Sequence, residues 1–267
     1  MKLLIFLLLF SFLFIGCVKD RSTLIDKPKT SQELEAEGNK KKRVDSYINL
    51  AINAIRRKNY PVAYENLFKA IKLDSENKDL HNLLGLTYLY DGKEDRAIKS
   101  FKRAIEIDST YSEAYNHLGI VYSEKEEFDK AVIQFNKALD NLTYKTPWIA
   151  YTNLGKAYII MGKEKKAVKA LTRSLSKNSR QCIPYQLLGK IYSSHNDFDN
   201  AELNYQNTLK YCNDKAHEYF NLGLLYMQYK KYKDSKESLN LCVKEAQINS
   251  NKRLVNKCKH YINLLEE

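Results

Sequence analysis

The chain has 267 residues, 44% of them hydrophobic, and a formal net charge of +12. A chain of this length can form a continuous hydrophobic core. The excess of positive charge favours binding to acidic surfaces or partners. The lysines alternate with Glu and Asp, however, as they do on a solvated helix face. The residue patterns exclude the common enzyme classes. The five histidines are scattered without metal-ligand spacing, and the sequence has no CxxC motif, glycine-rich phosphate loop or serine nucleophile elbow. We therefore expect a protein without catalytic residues, cofactor or metal.

The first segment combines Lys2, an apolar run over residues 3–15, and Gly16-Cys17. Such a run is typical of a secretory signal and is too short to span a membrane. Glycine directly before cysteine resembles the bacterial lipobox, which implies a signal peptide at residues 1–16 and an acylated, palmitate-bearing Cys17. Val18 follows instead of Asp, which in that family implies the periplasmic face of the outer membrane. The alternative is an ordinary cleaved signal or a short anchor helix.

Residues 17–43 form the next segment, which is rich in Lys, Asp, Ser, Thr, Glu and Asn. Such a composition buries little apolar surface, so we expect the lipidated cysteine to be followed by a flexible tether. An exported, membrane-anchored chain meets little nucleic acid, and we expect no nucleic-acid partner.

A repeat fills most of the remaining chain. Small residues recur at intervals of 34, 34, 36, 34 and 34, at Ala63, Ala97, Ala131, Ala167, Ala201 and Ser235. A Leu-Gly pair precedes most of them by about a dozen residues, and a tyrosine follows each glycine by three. A period of 34 residues is that of the tetratricopeptide repeat, a pair of antiparallel helices. Because one pair cannot bury its apolar stripe alone, the repeats must stack.

The pattern predicts an all-α fold, a right-handed superhelical solenoid of six helix pairs. The repeats occupy residues 44–77, 78–111, 112–145, 148–181, 182–215 and 216–249. Apolar residues at helical spacing over 250–267 predict a C-terminal capping helix. The junction between the third and fourth repeats is two residues longer than the others and contains Pro147 and Trp148.

Four further cysteines lie in the last two repeats and the cap. Cys182 and Cys212 stand at the open ends of one helix pair, and Cys242 and Cys258 lie on either side of the turn into the cap helix. In an oxidising compartment they would form two disulfides. The alternative is four free thiols that pack as small hydrophobic groups.

The first helix of each pair faces the inner side of such a solenoid, so its exposed positions predict the binding surface. The first two repeats place apolar residues there, at Ile48, Ile52, Ile55, Leu86, Leu89 and Tyr90. The inner positions of the third and fifth repeats are more polar. An apolar groove suits an amphipathic helix or an extended peptide; alternatively, these side chains only pack between helices.

The lipobox, the tether, the six repeats and the lengthened junction with Tyr144, Pro147 and Asn153-Leu154-Gly155 resemble the type IV pilus biogenesis lipoproteins of the PilF/PilW/Tgl pilotin family. The resemblance implies an adaptor at the outer membrane that binds a pilus secretin subunit and assists its assembly and localisation. The alternative function is a lipoprotein scaffold for peptidoglycan or outer-membrane assembly machinery.

Overall fold

The structure, a computed structural model, describes residues 30–266. Within this range it contains thirteen α-helices and no strand. The helices are α1 (Ser31–Arg56), α2 (Tyr60–Leu73), α3 (Lys78–Tyr90), α4 (Glu94–Ile107), α5 (Ser112–Glu124), α6 (Phe128–Asp140), α7 (Pro147–Ile160), α8 (Glu164–Lys177), α9 (Cys182–Ser194), α10 (Phe198–Tyr211), α11 (Ala216–Gln228), α12 (Tyr232–Ile248) and α13 (Lys252–Leu264). The signal-peptide segment and Cys17 lie outside the described residues. None of the described helices is both long enough and apolar enough to cross a membrane.

The predicted flexible tether differs from the structure in its second half. Residues from Ser31 onward are helical and continue without a break into the first repeat as α1. Residues 31–43 are rich in Glu and Lys, which have high helix propensity, and Glu37 precedes Lys41 by four residues. Residues 31–43 have too few apolar side chains to form a buried core, but they can form a solvated helix. The chain divides into two units at residue 43, and the repeats lie in the second.

From α3 onward the helices pack as consecutive antiparallel pairs. The closest neighbours are α3 with α4, α5 with α6, α7 with α8, α9 with α10 and α11 with α12, and α13 packs on α12. The first repeat joins this stack through Val44 and Ala51 of α1, which lie in buried clusters with Ala70 and Leu67 of α2. The predicted all-α solenoid is confirmed in this part of the chain.

A glycine on the first helix and a large side chain on the second account for the closeness of each pair. A Cβ atom added at any of these glycines would lie 2.6 or 2.7 Å from the side chain facing it. The facing pairs are Gly85–Phe101, Gly119–Phe135, Gly155–Leu171, Gly189–Tyr205 and Gly223–Leu239. The glycines thus let a ring or leucine fill the space between two backbones.

The lengthened junction connects α6 to α7, which still packs against both α6 and α8. Pro147 stands in the first turn of α7, where its missing N–H costs nothing. The hydroxyl groups of Thr152 and Ser174 each lie 2.8 Å from the carbonyl oxygen of Trp148 and donate to it. These bonds fix the start of α7 against α8.

Candidate protein-binding surface

The first helices of the pairs form the inner wall of the stack. Helix α3 approaches α5, and α5 approaches α7, whereas the second helices of neighbouring described repeats do not come equally close. Hydrogen bonds join successive inner helices: the His117 ring nitrogen Nδ1 lies 2.9 Å from Asn82 Oδ1, and Asn153 Nδ2 donates to Asn116 Oδ1 at 3.2 Å. Because the first helices of successive repeats lie closer together than the second helices, the stack curves toward the first helices. The exposed positions of α3, α5, α7 and α9 therefore lie on its concave side.

The six predicted groove residues lie on α1 and α3. Ile48 packs against the buried cluster of Val44, Ala70 and Leu80, and Leu86 and Leu89 pack against the core of the first three repeats. Ile52 and Ile55 are partly exposed, and Tyr90 is 59% exposed. Much of this apolar set is therefore used between helices, with Tyr90 the most accessible. Partner binding by these residues stays a prediction.

Further along the inner wall lie two adjoining clefts of about 280 and 240 Å³, the first between α7 and α9 and the second between α5, α6 and α7. They share Asn153 and Lys156 of α7, and we call them together the inner cleft. The first is lined by Ile149, Thr152, Asn153, Lys156, Gln181, Cys182 and Ile183. The second is lined by Ile120, Ser123, Glu124, Phe128, Phe135, Asn153, Lys156 and Ile160.

Isoleucines dominate the accessible part of the inner cleft. Ile149 and Ile183 are each 42% exposed, and Ile160 is 64% exposed. Lys156 is exposed and makes no ion pair within the described residues. Exposed apolar side chains around a few polar groups are typical of sites that bind peptides.

The inner cleft was not predicted from the sequence, because the count of inner positions left out the fourth repeat. The positions that hold Leu86 and Tyr90 in the second repeat hold Lys156 and Ile160 in the fourth. The same count would have found both residues. It could not have found the depth of the cleft, which depends on how α5, α6, α7 and α9 approach one another.

The structure joins the four remaining cysteines in two disulfides. Cys182 is bonded to Cys212 with Cα atoms 5.0 Å apart, and Cys242 to Cys258 with Cα atoms 6.4 Å apart. Both distances lie in the usual range. The first bond closes the open end of the fifth helix pair beside the inner cleft, and the second attaches α13 to α12.

The described residues contain no group of three or more His, Cys, Asp and Glu side chains that could hold a metal ion. His117 instead packs inside the stack, with its ring centroid 5.5 Å from that of Phe101. Burial lowers the pKa of His117 to about 4. This histidine is therefore neutral at pH 7 and serves helix packing.

Comparisons with known proteins agree with this architecture. Models of the tetratricopeptide repeat match residues 79–143, 149–178 and 216–249. No curated protein sequence gives a significant match. The fold is one that typically serves as a protein-interaction scaffold.

Several solved structures share the fold at low sequence identity. PilF of Pseudomonas aeruginosa superposes with a TM-score of 0.72 at 17% identity, over 84% of this chain and 99% of PilF. PilW, a widely conserved type IV pilus biogenesis factor, gives 0.68 at 20% identity, over 80% of this chain and 97% of PilW. YrrB, a tetratricopeptide-repeat protein with an unusual peptide-binding site, gives 0.56 at 22% identity, over 73% of this chain and 97% of YrrB.

Proposed function

We propose that this tetratricopeptide-repeat protein is a non-enzymatic adaptor that binds a segment of a protein partner along its inner wall. The single observation that carries the proposal is the inner cleft, where Ile149, Ile160 and Ile183 stand exposed beside Lys156. An extended peptide or amphipathic helix would cover these side chains. Tyr90 and the partly exposed isoleucines of α1 would extend the contact toward the first repeat.

We further propose that the partner is a type IV pilus secretin subunit. Support comes from the fold shared with PilW, a type IV pilus biogenesis factor, over 97% of its length, and from the Tyr/Pro junction before Asn153-Leu154-Gly155. The adaptor would hold the unassembled subunit and assist its assembly and its localisation in the outer membrane.

Membrane attachment is part of the same proposal. Gly16-Cys17 after the apolar run supports acylation of Cys17 and anchoring at the periplasmic face of the outer membrane. More than one acyl chain on a single residue gives stable anchoring. Metabolic labelling with palmitate should mark the wild type but not Cys17→Ser, and the variant should leave the outer-membrane fraction. Labelling of Cys17→Ser would contradict the anchor.

The secretin role is tested by deleting the gene and following secretin multimers on gels. We expect multimers to be lost without the adaptor and restored by the wild-type gene. Unchanged multimers in the deletion strain would contradict the secretin role while leaving the adaptor proposal open to the test that follows.

Substitution of the inner wall tests where the partner binds. Ile160→Asp should reduce partner capture by about tenfold or more, because a carboxylate would be desolvated against an apolar segment. Ile52→Asp tests the first repeat in the same way. Ile248→Asp is the matched control, since Ile248 is 68% exposed at the end of α12, away from the inner cleft. Equal capture by folded Ile160→Asp and Ile248→Asp would exclude the inner cleft.

A further inference from the structure

Helix α8 carries an uninterrupted row of cations on its outer side. Lys165, Lys169, Arg173 and Lys177 follow one another at intervals of four, which places them on one face of the helix. All four are exposed, as is the adjacent Lys166. The only acid of the helix, Glu164, stands at its first position and lies 3.0 Å from the ring of His195 on the following repeat.

These cations lack the ion pairs found elsewhere on the outer surface. On α4, Arg103 contacts Glu76 and Glu106, and at the end of α5 Lys125 contacts Glu94 and Asp95. Within the described residues no carboxylate lies in ion-pair distance of any of the five cations of α8. The face is therefore a concentrated, uncompensated positive charge.

The row borders a cleft of about 410 Å³ at the lengthened junction, which we call the outer cleft. Helices α6 and α8 form its walls and α7 its floor. Its lining residues are Asn136, Leu139, Asp140, Tyr151, Leu154, Tyr158, Lys166, Lys169, Ala170 and Arg173.

The floor and the rim of the outer cleft differ in chemistry. Tyr151, Tyr158 and Leu154 offer apolar and aromatic surface at the bottom, whereas the α8 wall offers three cations and the α6 wall a single acid, Asp140. The ammonium group of Lys166 lies 5.7 Å from the centre of the Tyr158 ring. A ligand that combines negative charge with a buried apolar or aromatic group would satisfy both parts.

We propose that the outer cleft binds an acidic peptide segment of a protein partner, with one apolar or aromatic side chain on the tyrosine floor and carboxylates against Lys169 and Arg173. The recess favours a peptide over a lipid surface, because a flat layer of headgroups would reach the rim but leave the floor uncovered. The outer cleft lies on the opposite side of α7 from the inner cleft, so this site does not depend on the proposed secretin role.

Fluorescence anisotropy tests the proposal with full-length protein in nonionic detergent and a labelled peptide of glutamates with one central phenylalanine. We expect saturable binding by the wild type and a loss of about tenfold or more in Lys169→Glu/Arg173→Glu. The same peptide with glutamine in place of glutamate should bind more weakly than the glutamate peptide.

Lys99→Glu/Lys102→Glu on α4 is the matched control, because it makes the same charge change at two exposed lysines outside the cleft. We expect it to change affinity by no more than about threefold. If Lys169→Glu/Arg173→Glu does not fold, Lys169→Gln/Arg173→Gln takes its place and should also weaken binding.

Three results would overturn the proposal: no saturable binding by the wild type, equal weakening by the cleft and control pairs, or displacement of the peptide by phosphatidylglycerol added to the micelles. The last would assign the face to lipid headgroups. Ile160→Asp should bind the acidic peptide like the wild type, which separates this test from that of the inner wall.

Discussion

Gly119 of α5 lies directly under the ring of Phe135 of α6. A Cβ atom at residue 119 would stand 2.6 Å from Cε1 and 2.7 Å from Cδ1 of that ring. Phe135 is 1% exposed, so its ring is closely packed within the repeat. The contact sets the distance between the two helices of the third repeat.

Gly119→Ala should therefore lower the free energy of unfolding by about 1 to 3 kcal/mol, because the added methyl group forces the ring or the helices apart. Thermal unfolding followed by circular dichroism measures this loss. Gly38→Ala is the control, since Gly38 is also helical but has nothing within 4 Å of an added Cβ. That change should be neutral or stabilise α1 by up to about 1 kcal/mol. Equal stability of the two variants would contradict the packing account.

This contact also shows why the fold was predictable from sequence. The requirement for a glycine opposite a large side chain repeats in five consecutive helix pairs, so the same residue types return at a fixed spacing. Any one pair would be weak evidence, but the period of 34 residues leaves one fold that explains all of them.

Two other features were less accessible to sequence reasoning. Residues 31–43 were predicted to belong to a flexible tether but are helical, because exposed polar residues are compatible with both a solvated helix and a coil. The two clefts around α7 depend on distances between neighbouring helices, and the residues lining them, such as Lys156 and Lys169, look like ordinary surface lysines in the sequence. Periodicity identifies buried positions well because packing restricts them, whereas exposed positions vary without such a restriction.

The cysteines lead to a prediction on redox state. Peptide mapping of unreduced, denatured protein should find Cys182 with Cys212 and Cys242 with Cys258. Under mild reductant the first bond should open before the second, because Cys182 is partly exposed whereas Cys242 and Cys258 are 0% exposed. Loss of either bond should lower stability by about 2 to 4 kcal/mol.

Paired serine substitutions separate the two bonds. Cys182→Ser/Cys212→Ser should loosen the fifth repeat, and Cys242→Ser/Cys258→Ser should loosen the attachment of α13. Four alkylated thiols in protein that was never reduced would contradict both bonds and favour the alternative of free, buried cysteines.

The turns within the helix pairs predict a stabilising substitution. Glu126 lies two residues after the end of α5 and has the left-handed conformation, with φ of 59°, at the position where the second and fourth repeats have Gly92 and Gly162. The turn is closed by the Glu127 amide, which donates to the carbonyl oxygen of Tyr122 at 2.8 Å. Glu126→Gly should raise the free energy of unfolding by about 0.5 to 1 kcal/mol, since it relieves the steric cost of this conformation.

The reverse change provides the control for that prediction. Gly92→Ala should destabilise the protein by about 1 kcal/mol, because it places a Cβ atom at a φ of 71°. Thermal unfolding of both variants measures the two shifts. A destabilised Glu126→Gly would show that the glutamate side chain matters more than its backbone conformation.

The partly buried imidazole of His117 predicts an acid-sensitive contribution to stability. Its pKa is lowered from 6.5 to about 4 by burial. Between these values the unfolded chain binds a proton that the folded protein does not, so the contribution is complete above pH 6.5 and is lost as the pH falls toward 4. The loss is on the order of 3 kcal/mol. Unfolding free energies measured from pH 7 to pH 4 should therefore fall less steeply in His117→Gln than in the wild type.

His260→Gln is the control for this titration, because His260 is exposed on α13. The carboxylates titrate alike in all three proteins. The difference between the two variants in the slope of unfolding free energy against pH therefore gives the contribution of His117 alone. Its nitrogen Nδ1 lies 2.9 Å from Asn82 Oδ1, and a glutamine amide can donate to the same oxygen, which keeps α3 and α5 linked while removing the titrating group. A slope in His117→Gln equal to that of the wild type would show that the imidazole takes up its proton without disturbing the helices.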